Sequence, residues 1–243
     1  MASVLNSVWS SVLNNANNID NWTKAFAVVK LVLFLPPGKR AFKDKAATVK
    51  NRIKAFQDGH LDDLWRESTR PVRGKRAAAA PRAANNARRA TLLAQEGQFG
   101  QAAKALLSQG LDFDSQEAID SMRAKHPPSP PPPPLPPPDA SPYSFTATET
   151  LAALNSFHSL SARGASGCRA AHLRESIASE RLNYLAAGKS PPEITPYLCG
   201  GNLFAAIKKG GGHRPIAVGE TIRRWTAKCV AKKAVQSGGT SIA

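Results

Sequence analysis

Acidic residues are scarce in this chain. It holds 17 Asp+Glu against 33 Lys+Arg in 243 residues, a formal net charge of +16. From Phe145 to Ala243 aspartate is absent altogether, and Glu149, Glu175, Glu180, Glu193 and Glu220 are the only acids. Such an excess implies a polyanionic partner, nucleic acid first and an anionic membrane second. The plain alternative is a basic protein that merely stays soluble. Cysteine is also scarce: Cys168, Cys199 and Cys229 are odd in number, widely spaced and without a CxxC pair. That excludes a disulfide framework and points to free thiols in a reducing compartment. Cys168 and His172 can share a helix face, but two ligands do not make a zinc site, so no metal is expected. A long apolar run is missing as well. Ala25 to Leu35 is the most apolar stretch, yet it is about half a membrane span and contains Lys30. Met1 to Asn21 lacks the basic start and apolar core of a secretory signal. The chain therefore reads as soluble and intracellular, nuclear or cytoplasmic, neither secreted nor membrane-spanning.

What is present is a globular share of hydrophobic residues, 42%, arranged in blocks. Residues 1–69 read as a helical segment. In it Ala25–Leu35 is a buried helix stopped by Pro36-Pro37-Gly38. Val49, Ile53 and Phe56 form a helical stripe, and His60 to Trp65 a further short helix. Residues 70–86 read as a flexible basic arm in which Arg70, Arg73, Lys75, Arg76 and Arg82 have no acidic neighbour. With Arg88 and Arg89 just beyond, its natural ligand is a phosphate backbone. A nuclear-localisation patch at Arg73-Gly74-Lys75-Arg76 and a merely solvated linker are the alternatives. Residues 87–126 read as a helical hairpin, Ala87–Gln95 and Phe99–Gly110, followed by a third helix over Asp114–Ala124. The hairpin's expected buried set is Leu92, Leu93, Phe99, Ala102, Leu106 and Leu107, and the third helix is capped by Asp114 or Ser115.

Residues 127–142 carry Pro127, Pro128, Pro130 to Pro134 and Pro136 to Pro138. Such a run neither pairs in a sheet nor continues a helix, and reads as an extended, semi-rigid spacer. It also matches PxxP ligands of SH3- or WW-type domains, as any dense proline run does. Beyond it, Thr146-Ala147-Thr148-Glu149 has the form of a capping box before Leu151, Leu154 and Phe157. A glycine loop spans Ser161 to Gly167, and Cys168 to Ala187 reads as one longer helix ending at Gly188. Pro191-Pro192-Glu193 opens a short helical turn to Leu198. Then Leu203–Ile207, Lys208-Lys209-Gly210-Gly211-Gly212 and Arg214–Gly219 read as strand, turn and strand. Cations stand on both shoulders of that turn, where a polyphosphate can be gripped; the bland alternative is a charged surface turn. A basic helix, Glu220 to Val235, sets Ile222, Trp225, Cys229 and Val230 on one face and Arg223, Arg224 and Lys228, candidate nucleic-acid backbone contacts, elsewhere. A two-stranded hairpin is marginal by itself. It is expected to be mobile or to rest on that helix through Ile216, Val218, Ile222 and Trp225.

The order Phe145-Thr146-Ala147-Thr148-Glu149, Arg163-Gly164-Ala165-Ser166-Gly167, Ile207-Lys208-Lys209, Arg214-Pro215-Ile216 and Lys228 resembles the reverse transcriptases of non-LTR retroelements. The likeness covers about residues 143–235, and the upstream segments are similar to the leading region of one eukaryotic branch. It implies an incomplete fingers subdomain over residues 143–243. In that subdomain Lys209, with Lys208 as the alternative, and Arg214 grip a nucleotide triphosphate, while Arg163, Gly164 and Gly167 lie near the template strand. Ala165 and Ser166 depart from the family's usual Pro and Asp. A complete family member binds divalent metal, Mg, through palm aspartates. The resemblance places those beyond the motifs seen here, so no cofactor is expected in this chain and no catalysis from it alone. The fold class expected is mainly α with one small antiparallel β-hairpin (α+β), as two helical modules joined by a polyproline linker. The function expected is a retroelement RNA-directed DNA polymerase fragment that binds nucleic-acid backbones, RNA or DNA. The alternatives are a proline-rich scaffold recruiting SH3/WW-type partners, or a fragment with no selected function.

Overall fold

Helix dominates, with one small sheet. The computed structural model describes residues 1–34, 44–69, 82–112, 115–126, 143–158, 161–174, 176 and 179–238. It groups into two compact units. The first is built from Met1–Arg70, Pro133–Asn202 and Val218–Ala243, the second from Pro71–Pro132 and Leu203–Ala217. Several features expected from the sequence lie outside the described residues: the Pro36-Pro37-Gly38 stop, Arg70, Arg73, Lys75 and Arg76 of the basic arm, and the proline run of residues 127–142.

The first unit starts with α1 (Ala2–Asn14), where Val4, Leu5, Val8, Trp9 and Val12 fall on one buried stripe. Helix α2 (Ile19–Leu33) begins at Asn18, whose side chain accepts the Asp20 N–H at 2.9 Å. Trp22 is wholly buried and donates its indole N–H to Ala16 O at 2.8 Å. The Trp9 and Trp22 rings meet edge to face at 5.9 Å. Helix α3 (Lys45–Gln57) and α4 (Leu61–Thr69) follow. Buried Arg52 of α3 donates to Phe34 O at 2.7 Å and to Glu67 at 2.8 Å. The predicted capping box is present at the start of α8 (Ala147–Asn155), with Leu154 buried and Leu151 exposed.

The single helix expected over Cys168–Ala187 is two. Helix α9 (Ala170–Leu173) and α10 (Ser179–Ala186) are separated at Ser176. The reason is polar burial. Ser176 and Arg181 are both buried, and Arg181 donates to Ser176 O at 3.0 Å, to Ser176 Oγ at 2.7 Å and to Asn6 Oδ1 at 2.7 Å. A continuous helix would engage the Ser176 carbonyl in its own ladder. Short α11 (Thr195–Cys199) precedes the hairpin, and α12 (Thr221–Gly238) closes the unit. Trp225 of α12 is fully buried and donates to Thr150 O at 2.8 Å.

The second unit opens with α5 (Arg82–Gln95) and α6 (Phe99–Leu106), joined through Gly97 at φ +74°. Its core keeps only part of the expected set. Leu93 and Ala102 are buried as expected, together with Ala90 and Ala105, whereas Leu92, Phe99, Leu106 and Leu107 are exposed. Alanine-lined faces let the two helices approach closely around Leu93, and the other four large residues are left outside the seam. Helix α5 also extends into the expected flexible arm. Arg82 donates to Gln109 O at 2.7 Å and Asn86 to Ser108 O at 2.8 Å, which satisfies carbonyls after α6 and orders that turn.

Strand β1 (Leu111–Asp112) and α7 (Gln116–Lys125) complete this part, and Ser115 caps α7 by accepting the Ala118 N–H at 3.0 Å. Strands β2 (Gly201–Ile207) and β3 (His213–Gly219) form the expected hairpin. It is one strand larger than expected: the sheet runs β1-β2-β3, with Leu111 opposite Ala206 and Asp112 opposite Ala205, antiparallel. Ala205 packs with Ala118 and Met122 of α7. Ile216, one of the residues expected to anchor the hairpin, is exposed, and Ile222 and Trp225 belong to the core of the first unit.

Candidate nucleic-acid interface

The hairpin tip is defined by two hydrogen bonds. Lys208 N–H donates to Gly212 O at 3.1 Å, and Gly211 N–H donates to Lys208 O at 3.3 Å. With Gly211 at φ +90°, this is a three-residue loop that ends in a left-handed glycine. The Lys208–Gly212 pair fixes the register, so Ile207 faces His213 and Ala206 faces Arg214. Side chains alternate along each strand, which puts Lys208 and Arg214 on one face as diagonal neighbours, about 7–8 Å apart. Lys209 stands at the first loop position. All three are exposed, and none has a side-chain hydrogen bond or ion pair among the described residues.

The opposite face of the sheet is closed. His213 is buried, its Nε2 lies 3.1 Å from Asp112 Oδ2, and Asp112 also accepts from Ser115 Oγ at 2.6 Å. Lys125 donates to the His213 carbonyl. The neighbour of Arg214 is thus anchored to β1 and α7, while Arg214 points the other way. An arginine fork and a lysine ammonium held in this relation suit one phosphate or two adjacent ones.

The glycine loop before α9 has a different setting, in the first unit. Buried Glu220 accepts from Ser166 N at 3.0 Å, Ser166 Oγ at 2.7 Å and Thr221 N at 2.9 Å. Thr221 Oγ1 donates to Cys168 O at 2.6 Å, and Arg224 to Ala162 O at 2.6 Å. A Cβ on Gly164 would stand 2.7 Å from Glu220 Cα, and Gly167 holds φ +76°. Both glycines are thus required by packing and backbone geometry. Ser166 is the donor that buried Glu220 needs; a carboxylate in its place would face that of Glu220. Glu220 and Ser166 are the pair that sequence reasoning missed, since only proximity in the fold joins them. Arg163 is exposed, and its side chain makes no hydrogen bond or ion pair among the described residues.

The cations of α12 are mostly engaged inside the unit. Arg223 donates to Cys199 O at 3.1 Å. Lys228 donates to Ser156 O at 3.1 Å and sits 4.3 Å from the Phe157 ring centroid. Lys232 reaches Ala152 O at 3.4 Å, and Lys233 pairs with Glu149 at 2.7 Å. Together Lys228 and Lys232 satisfy the carbonyls at the end of α8. Arg223, Arg224 and Lys228, expected from the sequence to hold a nucleic-acid backbone, thus each donate to a carbonyl within the unit. Arg88 and Arg89 of α5 are exposed and unpartnered among the described residues, whereas Arg82 holds Gln109.

The acids of the C-terminal part are dispersed. Lys233 and then the Thr146 N–H and hydroxyl hold the Glu149 carboxyl down at about 2. Among the described residues no group of three or more His, Cys, Asp or Glu is placed to hold a metal ion. Nor is any described helix long and apolar enough to cross a membrane. No protein-family model, curated protein sequence or solved structure matches the chain.

Proposed function

We propose that this chain binds nucleic-acid backbones and nucleotide phosphates as a reverse-transcriptase fingers-like fragment, with the hairpin tip as its phosphate grip. The observation that carries this reading is the hairpin register, which sets Lys208 and Arg214 on one face, with Lys209 beside them, all three exposed and without a side-chain hydrogen bond or ion pair among the described residues. Arg88 and Arg89 add further cations with no partner among the described residues, and the net charge of +16 favours any polyanion. The reading assigns no catalysis to the chain by itself. Glu149 is paired with Lys233, Glu220 is bound to Ser166, and no aspartate follows Phe145; two-metal nucleotidyl transfer needs carboxylates that converge on the ions. In this reading the protein works inside the cell, in the nucleus or the cytoplasm.

The test is fluorescence anisotropy with labelled single-stranded RNA and DNA over a salt series, beside a primer-extension assay. Affinity falls steeply with salt and depends little on sequence. K208A and R214A each lower the salt slope by about one phosphate contact without changing the melting temperature. Absence of binding at low salt refutes the grip, and metal-dependent nucleotide incorporation refutes the non-catalytic assignment.

A further inference from the structure

A cavity of about 580 Å³ opens in the first unit, built from parts that the phosphate grip does not use. Helix α2 contributes Phe26 and Lys30, α4 contributes Trp65, the glycine loop Ser166, α11 Tyr197, and the base of β2 Asn202. Its aromatic lining is unusual for its exposure. Trp65 is 47% and Tyr197 69% exposed, whereas Trp9, Trp22 and Trp225 are 4%, 0% and 0% exposed. Exposed aromatic rings at the mouth of a largely apolar cavity are stacking platforms for flat, sequence-independent partners such as bases. The ammonium of Lys30 lies over the Trp65 ring, 4.2 Å from its centroid, so a cation covers one face of the platform and has to swing off it before a base stacks there. That ring contact is its sole partner among the described residues, and the side chains of Asn202 and Glu193 at the rim have none. These groups can donate to and accept from the edge of a base.

We propose that this cavity takes one unstacked nucleobase of a single-stranded nucleic acid, stacked on Trp65, with Lys30 turning to the adjoining phosphate. The proposal rests on the nucleic-acid reading above and narrows it to single strands, because duplex bases hide their faces. A bare phosphate is disfavoured by Glu193 at the rim. Buried Glu220 lies at the cavity floor with its carboxylate already bonded to Ser166 and Thr221.

Trp65 is also the reporter, since the other three tryptophans are buried. A dye-labelled deoxythymidine oligomer is titrated into the full chain at low salt, with anisotropy and tryptophan emission read separately. The same measurement is made on the oligomer annealed to its complement. Emission falls on binding the single strand and stays level on binding the duplex. Trp65→Ala weakens single-strand binding roughly 5- to 150-fold, the range of one base–aromatic stack, while Trp65→Phe keeps most of the affinity and loses the quenching. Unfolding curves of both variants show that the unit remains folded. Binding by anisotropy with unchanged emission, equal quenching by the duplex, or wild-type affinity in Trp65→Ala overturns the cavity and leaves the phosphate grip standing. No binding to either oligomer overturns both.

Discussion

Substituting Gly164 by Ala separates a folding role from a ligand role for the glycine loop. The added Cβ would stand 2.7 Å from Glu220 Cα and 2.7 Å from its Oε2. A clash with a side-chain oxygen can be relieved by a rotamer change, but one with the backbone cannot. The loop must then move away from α12, and overpacking of this kind costs about 1–3 kcal/mol. The displacement also strains the Ser166 bonds to Glu220, now at 3.0 and 2.7 Å, and hydrogen bonds to a charged group contribute ~1.5–3 kcal/mol. A loss of about 3 kcal/mol corresponds to a fall of roughly 6–12 °C in melting temperature for a protein of this size. The assay is thermal unfolding followed by tryptophan emission, because Trp9, Trp22 and Trp225 all report the core of the first unit. Gly167→Ala is the control. It holds φ +76° with nothing within 4 Å of a new Cβ, so it should lose only the left-handed backbone cost of ~1–2 kcal/mol. The penalty of Gly164→Ala should persist in a Glu220→Ala background, since the backbone at position 220 still blocks the new methyl group. A Gly164→Ala melt within about 2 °C of wild type, an uncertainty of under 1 kcal/mol, would refute the packing argument. So would full rescue by Glu220→Ala.

The engaged cations of α12 should behave unlike those of the hairpin tip: Lys228→Ala should lower thermal stability by ~1 kcal/mol and leave the salt dependence of nucleic-acid binding unchanged, as read by anisotropy. Glu149 gives a pH signature. Its folded value of about 2 lies below the ordinary 4.5, so its contribution is fully present above pH 4.5 and is lost as pH falls towards 2. Lys233→Ala should flatten that part of an acid-unfolding curve, and an unchanged curve would count against the pair. Thiol labelling should find Cys199 reactive in the native protein. Cys168 and Cys229 are buried, and burial pushes their thiols up to about 12 and about 11, so they should label only on unfolding.

Local chemistry was legible in the sequence wherever neighbours along the chain decide the outcome. The Thr146–Glu149 box, the Ser115 cap and the glycine turn after Lys209 are all of this kind. The apolar run from Ala25 formed its buried helix for the same reason. What was not legible depends on partners distant in sequence. The break at Ser176 follows from Asn6 and Arg181, the need for Gly164 from Glu220, and the third strand from Leu111 and Asp112. In the α5–α6 seam Leu93 and Ala102 were legible, while Ala90 and Ala105 escape a reading by side-chain size. At the candidate site, sequence found the three tip cations but not which two share a face, because the register comes from the Lys208–Gly212 hydrogen bond. Charge alone assigns Arg224 and Lys228 to a ligand, and does not show that a carbonyl is already waiting for each of them.

The pairing of β1 with β2 has a consequence in time. Asp112 and Ala205 are opposite each other, yet about 90 residues of chain separate them, and closing a loop of that length costs roughly 4 kcal/mol of chain entropy. During synthesis at ~5–20 residues per second, those residues take roughly 5–20 s to emerge. For that interval Ala118 and Met122 of α7 have no Ala205 to pack against, and Leu111 and Asp112 present an open strand edge. The nascent helical segment is therefore exposed to wrong pairing until the hairpin leaves the ribosome.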